Sequence, residues 1–208
     1  MKGKFITFEG CEGVGKSTQA KFLIEYLKNQ GYDVVFTREP GGTPVAEKVR
    51  AILLDPSLTI KPRTEAYLFV TARNDHIENV ILPNVEKGKI VICDRYVDSS
   101  IAYQGVARNL GIEYVEKLNK VAFETCLPDC TIFINMDPAN SWRRQKGNVI
   151  LDDRLEIENE AFHAKCYEGF LAASKRYSDR YLVIEPEIDK NETFNKILKG
   201  LKEKNIIN

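Results

Sequence analysis

Five short apolar runs rich in β-branched residues, at residues 5–8, 34–37, 90–93, 131–135 and 181–184, are separated by stretches long enough to hold helices. The runs show no strict polar alternation, so strands built from them are expected to be buried on both faces. Strands of that kind alternating with helices form a parallel sheet covered on both sides, which predicts a three-layer α/β fold. Apolar period and capping residues place helices at 16–29, 45–54, 63–87, 114–126, 138–145, 156–177 and 191–204. Pro83 falls inside the third of these and is expected to kink or shorten it.

A chain of 208 residues, 43% of them hydrophobic, buries a sizeable core and is read as one domain spanning 1–208. Thirty basic residues cancel thirty acidic ones, so the net charge gives no reason to expect nucleic acid or an anionic membrane as partner. A soluble protein of a reducing compartment is expected. The first residues run straight into a strand with no room for a signal peptide, no apolar stretch approaches a membrane span, and the five cysteines make no regular framework.

The segment Gly10-Cys11-Glu12-Gly13-Val14-Gly15-Lys16-Ser17, followed by Thr18, matches G-x-x-x-x-G-K-[ST] between a strand and a helix. Glycines allow a tight turn that presents backbone N–H groups to phosphate oxygens, and the helix N-terminus adds its positive end. Lys16 is suited to the β and γ phosphates and Ser17 to Mg²⁺, which makes ATP the expected ligand. A GTPase reading fails because no Asp has Gly three places on, and Asn119-Lys120 is followed by Val121-Ala122. A P-loop does not by itself name the reaction, and an ATP-dependent kinase and a nucleotide-driven switch both carry one.

Thr37-Arg38-Glu39-Pro40-Gly41-Gly42-Thr43 and Cys93-Asp94-Arg95-Tyr96 place charge and glycines at two further strand ends, the edge where open α/β sheets bind ligands. An arginine there holds phosphate through its planar fork. Phe69 and Arg73, four apart, offer one planar base an aromatic face and two donors, although a core Phe and a solvated Arg fit the same spacing. Ser100, Tyr103 and Gln104 share a face if helical, with Gln104 able to meet a pyrimidine edge as donor and acceptor.

Taken together, FEGCEGVGKST, TREPGGT, TARNDHI, CDRYVDSSIAYQG and DDRLE resemble, in order and over essentially the whole chain, the bacterial thymidylate kinases. The resemblance implies a P-loop NTPase fold with a five-stranded parallel sheet and a small helical lid at about 141–156. It also implies Mg-ATP-dependent phosphorylation of dTMP to dTDP by a cytoplasmic homodimer, paired through helices 63–87 and 114–126. Phe69 would stack on thymine, with Arg73, Gln104 and Ser100 on its edge and Tyr103 against the deoxyribose. Glu12 would sit near the acceptor sugar, and Glu39 near the acceptor phosphate or the metal, with Ser17 and Asp94. Arg38, Arg50 and Arg95 would hold the phosphates being joined. The variable P-loop positions Cys11, Glu12 and Val14 carry no cation, so the family's lid arginines are the expected substitute: Arg143, Arg144 and Arg154, with Lys146 beside them. Position alone makes Cys11 a candidate for oxidation or alkylation.

Overall fold

The computed structural model describes residues 3–144 and 153–207, and the side chains of residues 142–144 lie outside that description. All five apolar runs are strands: β1 (Lys4–Glu9), β2 (Val34–Arg38), β3 (Ile90–Asp94), β4 (Cys130–Ile134) and β5 (Tyr181–Ile184). They form one parallel sheet in the order β2-β3-β1-β4-β5. Alternate residues feed two separate clusters, with Ile6, Phe8, Ile90 and Ile92 in one and Phe5, Val91 and Cys93 in the other. Both faces of the central strands are dry, which is the physical reason their sequences lack polar alternation.

The helices are α1 (Lys16–Asn29), α2 (Pro44–Leu54), α3 (Pro62–His76), α4 (Leu82–Glu86), α5 (Val97–Ser100), α6 (Ile112–Leu118), α7 (Lys120–Thr125), α8 (Pro138–Arg144), α9 (Glu160–Arg176) and α10 (Lys190–Glu203). Several boundaries differ from expectation for local reasons. The helix expected over 63–87 is α3 and α4 joined by a π-helical turn, Ile77–Ile81, in which the Leu82 N–H donates to Ile77 O five residues back. Pro83 has no N–H to continue the four-residue ladder, and the wider turn absorbs that loss. The helix expected over 114–126 divides at Asn119, whose side chain donates to Val115 O (2.9 Å) and so competes with the backbone. Helix 156–177 begins later than expected. Asn159 caps α9 by accepting from Phe162 N, while Asp153 Oδ1 accepts from Leu155 N and Glu156 N and folds the preceding residues into turns.

Of the expected lid, residues 145–152, including Lys146 and the GNVIL stretch, lie outside the described residues, as do the side chains of Arg143 and Arg144 at the end of α8. No described helix is long and apolar enough to cross a membrane. All five cysteines are free and buried, as packed thiols.

Helix α5 continues into a π-helical segment, Ile101–Ala107, which carries Tyr103 and Gln104. Helix α9 lies directly against it at Gly169, where an added Cβ would stand 2.6 Å from Ala102 Cα. Relief requires moving backbone that carries site residues. Gly169→Ala is therefore expected to destabilise the fold by about 1–3 kcal/mol, read as a lowered melting temperature in thermal unfolding; an unchanged melting temperature would show that α9 can shift freely.

Candidate active site

The loop after β1 turns sharply at Gly10 (φ 138), where a Cβ would lie 2.8 Å from Ile134 O. Gly15 (φ 100) caps α1, and a Cβ there would project into open space with no atom within 4 Å. Lys16 Nζ folds back to donate to Gly10 O (3.1 Å) and Cys11 O (2.7 Å). Burial, and then the charge of Arg95, lower its pKa. At the start of α1, Ser17 Oγ donates to Asp94 Oδ2 across 2.8 Å. The other carboxylate oxygen, Oδ1, is buried with no hydrogen-bond partner among the described residues. Cys11 and Val14 point into the core. Burial pushes the Cys11 thiol up to about 12 and leaves the residue 4% exposed, which disfavours the thiolate that oxidation or alkylation there would need.

Arg95 occupies the left-handed region (φ 68), a conformation costly for a residue with a Cβ. Its N–H donates to Phe8 O (2.9 Å), and its guanidinium donates to Gly10 O and Ser99 Oγ (each 3.1 Å) and to Glu12. It also lies 5.4 Å from the Tyr103 ring centre. Burial opposes ionisation of Glu12, but Arg95 and Lys16 outweigh it and hold the carboxyl down to about 2. Glu9, to which the sequence reading gave no role, grips the same turn by accepting from Tyr96 N (2.7 Å), Ser99 N (3.3 Å) and Ser99 Oγ (2.6 Å). Burial, and then the charge of Asp98, push its carboxyl up to about 8. Asp98 is itself fully buried against Arg180, with both contacts at 2.7 Å. The only sequence signal for Glu9 was a carboxylate closing an otherwise apolar run.

At the other end, Arg73 is 1% exposed and donates through Nε to Glu39 Oε2 (2.7 Å), through NH1 to Ser100 Oγ (3.0 Å) and Asn119 Oδ1 (2.5 Å), and through NH2 to Tyr96 O (3.1 Å). Among the described residues four of its five N–H groups are engaged and one is left over. The second oxygen of Glu39 takes His76 Nδ1 (3.0 Å), whose Nε2 meets Thr37 Oγ1 (2.7 Å). Both oxygens of Glu39 thus face α3 and anchor Arg73 and His76, while the residue lines the cavity as expected of a group near the acceptor phosphate or the metal. His76, to which the sequence reading gave no role, supports Glu39; the signal was its place three residues after Arg73 on one helix. Gln104 Nε2 donates to the buried Glu65 (2.8 Å), and Tyr103 OH reaches Glu12 (3.5 Å). Arg38 pairs with Glu47 (3.0 Å) at the surface, and Arg50 donates to Pro40 O (2.9 Å).

One cavity of about 440 Å³ gathers these groups. It is lined by Glu12, Gly13, Gly15, Lys16, Ser17, Thr18, Asp94 and Arg95 on the P-loop side and by Arg38, Glu39, Arg50, Phe69, Arg73, Tyr103 and Gln104 on the other. Tyr96, Ser99, Asp153, Leu155 and Glu156, with Pro40 and Leu54, complete the wall and were given no role from the sequence. Loop residues at the lid margin and a tyrosine inside a strand-end turn carry no periodic signal. Gly10, Cys11, Val14 and Ser100 stand behind the lining. Arg154 is not at the phosphate end: its Nε donates to Leu53 O (2.9 Å) and its NH2 lies 2.7 Å from Glu65 Oε2. The catalytic placement expected for Arg154 is corrected accordingly, since the buried carboxylate of α3 holds it.

The family model described as Thymidylate kinase matches residues 8–197. A thymidylate kinase from Thermoanaerobacter sp. (strain X514) is 50% identical over 185 residues, covering 89% of this chain and 90% of that one. One from Caldicellulosiruptor saccharolyticus is 45% identical over 199 residues, 96% of each. The crystal structure of thymidylate kinase from Ehrlichia chaffeensis matches with a TM-score of 0.79 at 33% identity, covering 97% of this chain and all of that one.

The raised pKa of Glu9 makes a stability prediction. Its carboxyl stays protonated in the fold above its ordinary value of 4.5, so its contribution is full below that pH and is lost as pH rises through about 8. Glu9→Gln, neutral throughout, is expected to flatten the fall: the melting temperature of the native protein should drop relative to the variant between about pH 5 and pH 9. Parallel melting curves across that range would show that Glu9 is ionised in the fold.

Proposed function

The chain belongs to the thymidylate kinase family, whose members convert dTMP to dTDP, and we propose that it does so with Mg-ATP as donor, as a cytoplasmic homodimer folded as a single domain with a lid. The observation that carries the mechanism is the single cavity with a P-loop, Lys16 and Asp94 at one end, Phe69, Arg73 and Gln104 at the other, and Arg95 between them. ATP fits the first end. Gly10–Thr18 encloses open space where Gly15 has no Cβ, beside the partly neutralised reserve of Lys16. In the substrate-bound enzyme Lys16 exchanges its two carbonyl partners for phosphate oxygens.

Ser17 and Asp94 fit a divalent cation, because their oxygens meet at the head of α1 and Asp94 Oδ1 is a buried acceptor without a donor among the described residues. Mg²⁺ held there supplies neutralisation of the triphosphate. Arg95, fixed by Glu12 and Ser99, faces the phosphates from the acceptor side, with Arg38 and Arg50 at the same strand edge. Phe69 covers the face of thymine and the uncommitted N–H of Arg73 meets its carbonyl oxygen. The dTMP phosphate oxygen is already an anionic nucleophile and attacks the γ-phosphorus as the bond to ADP breaks, so alignment and neutralisation are the protein's task and no general base is needed. Arg143 and Arg144, at the end of α8, are the lid cations for the transferred group.

A coupled ADP-release assay with dTMP, dUMP, dCMP, AMP and thymidine tests this reading. A strong dTMP preference is expected, with Arg73→Ala raising the KM for dTMP by roughly tenfold or more, the loss of a charged hydrogen bond. Lys16→Ala should lower kcat with little change in the KM for dTMP. Hydrolysis of ATP at the same rate without any acceptor would instead assign the P-loop to a nucleotide switch.

A further inference from the structure

Glu65 is fully buried on α3, four residues before Phe69 and eight before Arg73, so the three share one helix face. Its Oε1 accepts from Gln104 Nε2 (2.8 Å) and Arg108 Nε (3.3 Å). Its Oε2 accepts from Arg108 NH2 (3.2 Å) and lies 2.7 Å from Arg154 NH2. Arg108 is held in turn by Glu158 (2.6 Å) and lies 4.4 Å from the Phe162 ring centre. A carboxylate surrounded by two guanidinium groups has only acceptors to offer, so the Gln104 amide can face it in one orientation, with its NH₂ inward. Gln104 Oε1 is then the polar atom turned to the cavity.

We infer that Glu65 is a positioning residue that fixes the direction of the Gln104 amide and thereby sets the preference for a thymine edge over a cytosine edge. The inference rests on the base-pocket reading above. An outward amide oxygen accepts the N3–H of thymine, while cytosine presents a bare N3 lone pair at that position and repels it. The spare N–H of Arg73 adds the same sense, since it suits the O4 acceptor of thymine and not the N4 amino group of cytosine. Without the carboxylate, the Gln104 amide turns at little cost and presents its NH₂ to either base.

The test measures kcat/KM for dTMP and for dCMP in the native protein, Glu65→Gln, Gln104→Leu and the double variant, with melting temperatures alongside. Glu65→Gln is expected to lower the dTMP-to-dCMP ratio by about tenfold or more, chiefly through KM, and to add nothing further in the Gln104→Leu background. Glu65→Gln also strips counter-charge from two arginines and risks misfolding. Glu65→Asp keeps the charge while withdrawing the oxygens by about 1.5 Å, and is expected to move the ratio in the same direction. A general packing role would lower both kcat/KM values together and leave the ratio unchanged. If Gln104→Leu lowers the ratio while both Glu65 variants keep it, the inference is overturned and the base pocket stands. If the native protein fails to phosphorylate dTMP, or Gln104→Leu leaves the ratio unaltered, the underlying pocket reading fails and takes this inference with it.

Discussion

The buried pair between Arg73 and Glu39 ties the end of β2 to the last turn of α3, and both walls of the substrate cavity are set by it. The two groups are almost wholly withdrawn from water, with side chains 1% and 4% exposed. Two charges cost several kcal/mol each to bury, and only close geometry with further hydrogen bonds offsets that cost. Here His76 satisfies the second oxygen of Glu39, while Ser100, Asn119 and Tyr96 O take the remaining donors of Arg73. Removing one partner would leave the other charge uncompensated, at roughly 3–5 kcal/mol. The network therefore holds β2, α3, the strand-end turn after β3 and the break between α6 and α7 in one mutual arrangement.

The same device recurs at other arginines of the fold. Arg95 leans on Glu12 and, through Ser99, on Glu9, while Arg108 and Arg154 share Glu65. Where a carboxylate backs an arginine of the cavity, as Glu12 backs Arg95 and Glu39 backs Arg73, it orients the guanidinium before a ligand arrives, so the ligand does not have to order a long side chain on binding. Asp94 forms no ion pair among the described residues, and its open oxygen suits it to the proposed metal.

Much of this was legible in the sequence. The sheet followed from the five β-branched runs because double burial removes alternation, and the phosphate loop followed from glycine spacing between strand and helix. Phe69 and Arg73 were visible as a pair because helical spacing puts them on one face. What stood outside reach were side chains that act on other side chains. Glu9, Glu65, His76 and Asn119 touch the site through partners 37 to 90 residues away in sequence, and no local period encodes such a partner. Arg154 shows the converse: its place in a basic cluster suggested a phosphate, and only the fold reveals the buried carboxylate that holds it. The π-helical turn before Pro83 likewise needed the structure, since proline announces an interruption without saying how the ladder resolves it.

The register of the two central strands has its own consequence for where this fold can change length. Phe8 stands opposite Asp94 and Thr7 opposite Cys93, so the phosphate loop and the Asp-Arg turn leave the sheet at the same height. A slip of one residue would move one turn about 3.3 Å along the other and reverse every core-facing side chain beyond it. Insertions within β1 or β3 are accordingly forbidden, whereas the connections entering the opposite edge, at residues 30–33 and 87–89, can lengthen without disturbing that alignment. The sheet works as a fixed gauge at one end and a free margin at the other, and lineages diverging from this chain can be expected to vary at the margin.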